Sequence, residues 1–334
     1  MESTANTLIP QAPAQAAPGE RDTVLKQAEL DQISRDMLGV IADMGEDTPG
    51  AINIRANGCL AARTNSENIR IETKADKPGI DIRVAPHTKG EQVHIPVVLT
   101  ETGENDMVYN DFYIGEGADV YIVAGCGIHN DGDCASEHDG IHTFYLEPNS
   151  HVVYVEKHYG EGDGTGERIL NPTTEVHMQE GSSMEMEMDQ IKGVSSTVRT
   201  TRGELAADCR LTVVEKLMTH GDQTAESDLD FVMDGDGSSV RVVSRSVARD
   251  RSRQLFQPVV TGNASCRGHV QCDAIIMDHA QVKSVPAIDA RSTEAQLVHE
   301  AAIGKIAGDA IVKLETLGLT EEEAEEQILE DFLS

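Results

Sequence analysis

Two stretches of this 334-residue chain hold the residues best suited to soft-metal or sulfur chemistry. The first runs from Cys266 and Cys272 to the adjacent pair His299 and Glu300. Thiolate is the ligand that iron–sulfur clusters use, and its sulfur can carry a further sulfur atom as persulfide. Imidazole and carboxylate complete a labile site, which suits a protein that must release what it holds. Cys272, His299 and Glu300 are therefore the first candidate site. Cys266 lies six residues before Cys272, an even spacing that places both on one face of a strand. It fits a small core residue better than a sulfur relay.

The second stretch is CGIHNDGDCASEHDGIH, with Cys126, His129, Cys134, His138 and His142. Its spacings loosely resemble a zinc site, and His138 and His142 share a face if the segment is helical. Its glycines and aspartates favour a loop between strands instead. Asp131, Asp133 and Asp139 suit either a hard cation or tight turns. These five Cys and His residues stand as a secondary metal or sulfur-relay candidate, against a polar loop edge. Cys59 and Cys209 sit in apolar strands and read as core. Met184, Met186 and Met188 alternate with Glu185 and Glu187, the pattern of a strand with an apolar inner face. The Gly-rich run GEGDGTGER at 160–168 lacks the Lys-Ser/Thr ending of a phosphate loop, and no G-x-S-x-G or H-E-x-x-H occurs. The chain is read as a non-enzyme that does not hydrolyse nucleotide itself.

The elements that would position these residues fall into four parts. Residues 1–20 are rich in Ala, Pro and Gln and read as a disordered tail. Within a helical segment over 21–50, Leu25, Leu30, Ile33, Met37, Leu38 and Ile41 mark one face of a helix over 21–44, and Gly45 supplies a stop. Over 51–290 short strands alternate with tight turns. Taking Ala118, Ser150, Ser183, Ala207 and Ser239 as equivalent gives steps of 32, 33, 24 and 32 residues. Such a quasi-period favours the stacked coils of a β-solenoid slightly over a sandwich. Over 291–334 the spacing of Leu297, Ala301 and Gly304 is helical, and Thr320 with Glu323 forms a capping box. The tail carries more apolar surface than it can bury alone, with Ile306, Leu314, Leu317, Leu319 and Ile328 as candidate partner contacts.

Composition narrows the function. The chain has 27 basic and 58 acidic residues, a formal charge of −31. That surface repels nucleic acid and anionic membranes, so neither is an expected partner. It fits an acid-rich host better than a charge-based function. Aromatics are 3% with no Trp, so the core must be aliphatic. Six cysteines in a large chain with no signal-peptide pattern point to free or metal-binding thiols in a reducing cytoplasm. No run approaches the ~18 consecutive apolar residues of a membrane span.

Several separated blocks carry a resemblance. They are Gly268-His269, Cys272-Asp273-Ala274, Pro286, His299-Glu300-Ala301, Gly304-Lys305-Ile306 and the run Leu317–Ala324. Glu167–Pro172 and Gln190–Gly193 add to them. Over roughly residues 50–334 the chain resembles the SufB/SufD family of iron–sulfur cluster assembly scaffolds, in the short form of minimal SUF systems. The resemblance implies a mainly β fold: a right-handed parallel β-helix with flanking N-terminal helix and C-terminal helical domain. It implies a scaffold that holds a transient iron–sulfur cluster and works with a SufC-like ABC ATPase docked on the tail. A second SufB/SufD-type scaffold or a second copy of this chain, a sulfur donor and acceptor apoproteins complete the implied partners. Persulfide on Cys272, and a nascent cluster between Cys272 and His299 or Glu300 across a dimer seam, are the implied chemistry. On a helix, His299 and Glu300 would point about 100° apart. Val298 departs from the acidic residue expected in long SufB forms. The rival readings are a metal-dependent enzyme built on the 126–142 cluster and a structural β-helix that binds a partner protein.

Overall fold

A computed structural model describes residues 30–45 and 48–333. The disorder expected over 1–20, and the helix expected from residue 21 as far as residue 29, lie outside them. Helix α1 spans Gln32–Ala42 and opens on Asp31, whose carboxylate accepts the Ser34 N–H at 2.6 Å. This cap satisfies one of the donors that a first helical turn leaves unpaired. The helix stops before Gly45 because Asp43 adopts a left-handed conformation (φ 51°) that ends the ladder. Asp and Asn reach that region more readily than other side chains.

The strands that follow are β1 (Ala51–Ala56), β2 (Cys59–Thr64), β3 (Ile69–Thr73), β4 (Gly79–Val84), β5 (Lys89–His94) and β6 (Val97–Leu99). Of these, β1–β2 and β3–β4 pair antiparallel and close the first end of the fold. The chain then passes through β7 (Asn105–Ile114), β8 (Asp119–His129), β9 (Ser136–Leu146), β10 (His151–Glu161), β11 (Arg168–Leu170), β12 (Thr173–Met178), β13 (Ser183–Lys192), β14 (Ser196–Leu205) and β15 (Arg210–Thr219). It continues as β16 (Thr224–Met233), β17 (Ser239–Ala248), β18 (Arg253–Gly262), β19 (Arg267–Ile276), β20 (Gln281–Ser284), β21 (Ala287–Ala290) and β22 (Gln296–Gly304). From β7 onward it alternates between two sheets, and each strand pairs in parallel with its counterpart one coil earlier. The result is a β-solenoid of about 8 turns. A sandwich of antiparallel hairpins is excluded by that pairing.

Asp119, His151, Ser183, Arg210, Ser239 and Arg267 stand in register, at steps of 32, 32, 27, 29 and 28 residues. The sequence spacing misplaced one coil because Ala207 lies in the corner, before the ladder resumes at Arg210. Corners are built from short side chains. Asn149, Asp208, Asp250 and Asp278 are all left-handed, with φ from 54° to 58°. The Ser150, Ser182, Ser238 and Ser252 hydroxyls donate to the carbonyl three residues back at 2.6–2.8 Å.

Inside, strand alternation sends every second side chain into the coil. Phe112 and Phe144 stack at 4.1 Å, and Met184, Met186 and Met188 are buried as expected. Outside, α1 lies across β8 and buries Met37, Leu38 and Ile41. Each such side chain contributes roughly 1.5–3 kcal/mol. Gly125 makes that approach possible, because a Cβ there would stand 2.2 Å from the Ile41 carbonyl oxygen.

The tail corrects one expectation. Residues 296–304 are a strand, β22, so the solenoid extends past residue 290. The helical spacing of Leu297, Ala301 and Gly304 lost to nine residues of parallel pairing with β19, which would otherwise leave its ladder open. The helices are α2 (Gly308–Glu315) and α3 (Glu321–Leu333). Thr320 and Glu323 form the expected capping box, with bonds of 2.8 and 3.2 Å. Helix α3 rests on β17 and buries Ala324 and Leu329. None of α2 is buried. Ile306, Leu314, Leu319 and Ile328 are half-buried, and Leu317 is 72% exposed.

Candidate functional site

The solenoid interior has two zones. Toward the starts of the first-sheet strands it is hydrocarbon. Toward their ends two inward columns turn polar. One column is Ala124, Glu156, Met188, Glu215, Ser244 and Cys272. Its neighbour is Cys126, His158, Gln190, Leu217, Ser246 and Ala274. The opposite sheet sends Asp106, His138, His142, Arg199 and Ser227 against them, all buried.

These groups form a string of alternating charge. Arg55 Nη2 lies 2.6 Å from Asp106 Oδ1, and Asp106 Oδ2 lies 3.2 Å from His138 Nδ1. His138 and His158 share the interior with the Cys126 thiol, and their charges act on it. His158 Nε2 lies 2.9 Å from Glu156 Oε1, which also accepts from Arg199 Nη1 at 2.9 Å. Arg199 Nε lies 3.6 Å from Glu215 Oε1, and Glu215 accepts the Ser227 and Ser244 hydroxyls at 2.7 and 3.2 Å. Beside the string, Tyr154 donates to Glu156 at 2.7 Å and meets His142 Nδ1 at 2.7 Å. A cavity of about 10 Å³, room for one water, touches Gln190, Arg199, Glu215 and Ser227. Both Gln190 amide atoms lack a protein partner there.

Ionisation follows from burial set against these partners. Burial pushes the Cys126 thiol up, but the charges of His138 and His158 outweigh it and bring it down to about 7. Burial disfavours the His138 imidazolium, yet Cys126 and Asp106 raise it to about 10. Burial also opposes the Glu156 carboxylate, and Arg199 and His158 hold it well below the usual range. His142 is lowered to about 4 by burial. Cys272 has no such cation, and burial pushes its thiol up.

Cys272 is 1% exposed and faces inward from β19. It stands level with Ala301, and Val270 stands level with His299. Cys272 and His299 thus share the inward face of the last two strands of their sheet, one step apart diagonally. His299 Nε2 is buried without a partner. Glu300 points the other way, because β22 is a strand and neighbours on a strand face opposite sides. Its carboxylate meets His269 Nε2 at 2.9 Å on the outer face. Cys266 faces inward like Cys272, as its even spacing implied, and both pack in the same hydrophobic cluster.

The 126–142 cluster divides. Cys126, His138 and His142 are inside, on β8 and β9; the two histidines share a face by even strand spacing, not by helix. Only residues 130–135 form the expected loop. Cys134 is exposed on that loop, and His129 sits at the coil edge, 3.0 Å from Asp131 and 3.1 Å from Glu161. Among the described residues no group of three or more His, Cys, Asp or Glu side chains is arranged to hold a metal ion. The five-residue centre of the rival enzyme reading is therefore not assembled. Cys59, expected in the core, is exposed at the β1–β2 turn, whereas Cys209 is buried as expected. Asp106, Glu156, His158, Arg199 and Glu215 were missed from the sequence. For Glu156 and His158 a signal exists: in HVVYVEKHYGE they keep the two-residue phase of Val152 and Tyr154, which puts them inside.

Known proteins resemble this chain in sequence. A family model described as "SUF system FeS cluster assembly, SufBD core domain" matches residues 114–332. An iron–sulfur cluster assembly SufBD family protein of Methanothermobacter thermautotrophicus strain Winter is 27% identical over 79% of this chain and 64% of its own length. One from strain Delta H is 28% identical over 66% of this chain and 53% of its own. One from Archaeoglobus fulgidus is 25% identical over 82% of this chain and 73% of its own. The chain thus spans about half to two thirds of the length of the first two relatives. No helix among the described residues is long and apolar enough to cross a membrane. With the family model covering most of the solenoid and the tail, the chain belongs to the SufBD family of iron–sulfur cluster assembly proteins.

Proposed function

We propose that this protein is a scaffold on which iron–sulfur clusters are assembled, and that Cys272 with His299 holds the nascent cluster. The observation that carries this reading is their shared inward face at the open end of the solenoid, with His299 Nε2 buried and unpartnered. A soft thiolate and an imidazole suit iron bound to sulfide. Further ligands come from a second scaffold. The terminal coil favours such a seam: β22 is an edge strand, and Val285, Ile288, Val298 and Ile303 around it are 41–54% exposed. The second scaffold is another copy of this chain or a related one. Glu300 serves the outer face instead of the cluster pair within one copy.

Sulfur enters at Cys126, the interior thiol most able to act as a thiolate, and, because no cysteine stands in the polar columns between the two, it reaches Cys272 by thiol–persulfide exchange with a small carrier thiol. Five strand spacings separate the two cysteines, roughly 24 Å, so their thiols never touch. A SufC-like ABC ATPase docks on α2 and the loop after it, where Val312 and Leu317 are 56% and 72% exposed. Its ATP-driven closure reshapes the seam.

The test is anaerobic reconstitution with ferrous iron and sulfide, read by visible absorption and iron and sulfide analysis. The unaltered protein should bind a cluster. Cys272→Ala should lose at least about tenfold of it, since removing the thiolate removes the strongest ligand. Full cluster binding by Cys272→Ala would end this assignment. Deleting 305–334 should abolish co-purification of the ATPase.

A further inference from the structure

Asp106 stands out among the buried charges because it influences a thiol on the opposite sheet. It sits on β7, the strand before β8, and reaches Cys126 only through His138, its register partner one coil on in β9. Its carboxylate is 6% exposed and is held from behind by Arg55, whose Nη2 contacts Oδ1 at 2.6 Å and whose Nε lies 3.4 Å from Oδ2. Arg55 Nη2 also donates to the Gly58 carbonyl at 2.8 Å, which ties the pair to the β1–β2 turn. The free side of Oδ2 meets His138 Nδ1 at 3.2 Å, an ionic contact off the hydrogen-bond axis. With Nδ1 turned to Asp106, Nε2 is the remaining nitrogen; it is buried without a hydrogen-bond partner, and His138 and Cys126 act on each other through their charges. A thiol, an imidazole and a carboxylate in that order are the parts of an activated nucleophile: attacking atom, base and orienting group.

We propose that Asp106, braced by Arg55, is a positioning residue that keeps His138 protonated against Cys126, so that Cys126 rests as a thiolate in a Cys126–His138–Asp106 triad. The other charged or titratable groups around Cys126 are His158 and Glu156 from β10, Tyr154 and His142 beside them, and Arg199 from β14. His158 is already committed to Glu156 at 2.9 Å, so His138 is the cation whose charge Asp106 can set. The directions of the shifts agree: Asp106 is drawn down to about 2 by His138 and Arg55 against the cost of burial, and His138 is raised.

The role of this thiolate rests on the sulfur-entry reading above. There it attacks the terminal sulfur of a donor persulfide. A bond forms between that sulfur and Cys126, the donor's S–S bond breaks, and the donor departs as a thiolate carrying the electron pair. The proton stays on the transferred sulfur, and no external oxidant or reductant is consumed.

The experiment uses the full chain and reads ionisation, not cluster formation. Far-ultraviolet thiolate absorbance is titrated for the unaltered protein and for Cys126→Ser, and the difference isolates Cys126. Asp106→Asn should move its midpoint up by about one to three pH units, and Asp106→Glu should restore it. A role confined to packing would alter stability and leave the midpoint in place. Nitrogen NMR of the unaltered protein gives a second readout that needs no variant: His138 should carry protons on both nitrogens at neutral pH. An unmoved midpoint in folded Asp106→Asn, or a singly protonated His138, overturns the triad. Cluster assembly that survives Cys126→Ser while the titration behaves as stated upholds the triad and removes sulfur entry from Cys126.

Discussion

Cys126 and Cys272 lie in neighbouring columns of one solenoid, are 6% and 1% exposed, and differ in ionisation. Cys126 is influenced by two imidazoles, His138 backed by Asp106 one coil away and His158 by Glu156 on its own strand, and its pKa falls to about 7. Burial raises the Cys272 pKa, and the Glu215 and Asp273 carboxylates add to the rise while Ser284 opposes it. Burial is common to both, so burial does not decide reactivity; the charge that accompanies the thiol does. One end of the polar stripe is thus built to present an ionised sulfur. At the other, burial favours the neutral thiol, and a cation bound there would favour the thiolate.

The charged string is the part of this contrast that is easiest to break. Arg199→Leu leaves Glu156 and Glu215 buried without their shared cation, and unfolding by urea should show a loss of about 3–5 kcal/mol. Adding Glu156→Gln should recover part of it. A loss below about 1 kcal/mol would mean that water reaches the string and that the Cys126 end is less isolated than its burial implies.

Acid should act next. His142 is held neutral, with its pKa lowered from 6.5 to about 4. Between those values the unfolded chain takes a proton that the folded chain refuses. Stability is therefore complete above 6.5 and falls as pH drops toward 4, by up to roughly 3 kcal/mol. Urea midpoints across that range should fall less steeply in His142→Gln. The thiolate pair has its own window. The Cys126 contribution is lost as pH falls through about 7, and that of His138 as pH rises through about 10.

The smallest effect concerns the outer face at the Cys272 end. His269 and Glu300 are 37% and 60% exposed. Such a pair contributes less than about 1 kcal/mol. Glu300→Gln should leave both stability and cluster binding of an isolated protein nearly unchanged, in contrast to His299→Ala. Equal loss of cluster in both would place Glu300 at the seam through a partner scaffold.

Much of this was legible in the residues. Alternation in Met184–Met188 placed the methionines inside, and Thr320 with Glu323 announced the last helix. Cys272 was singled out by its surroundings in sequence. The polar stripe was not legible as a unit, because its members are scattered from Arg55 to Glu215. The fold of 291–304 was misread for a different reason. Its helical spacing is a local property, and the ladder offered by β19 is not local.

The sequence by itself determined the strands and corners over 105–290. Two-residue alternation, short corner side chains and the Asp and Asn turns each act within a few residues, and they favoured the coil only slightly over a sandwich. Only the tertiary structure decided which interior residues meet. Side chains from 12 to 51 residues apart become neighbours when coils stack a strand spacing apart, and that spacing is short enough for one charge to set the ionisation of the next.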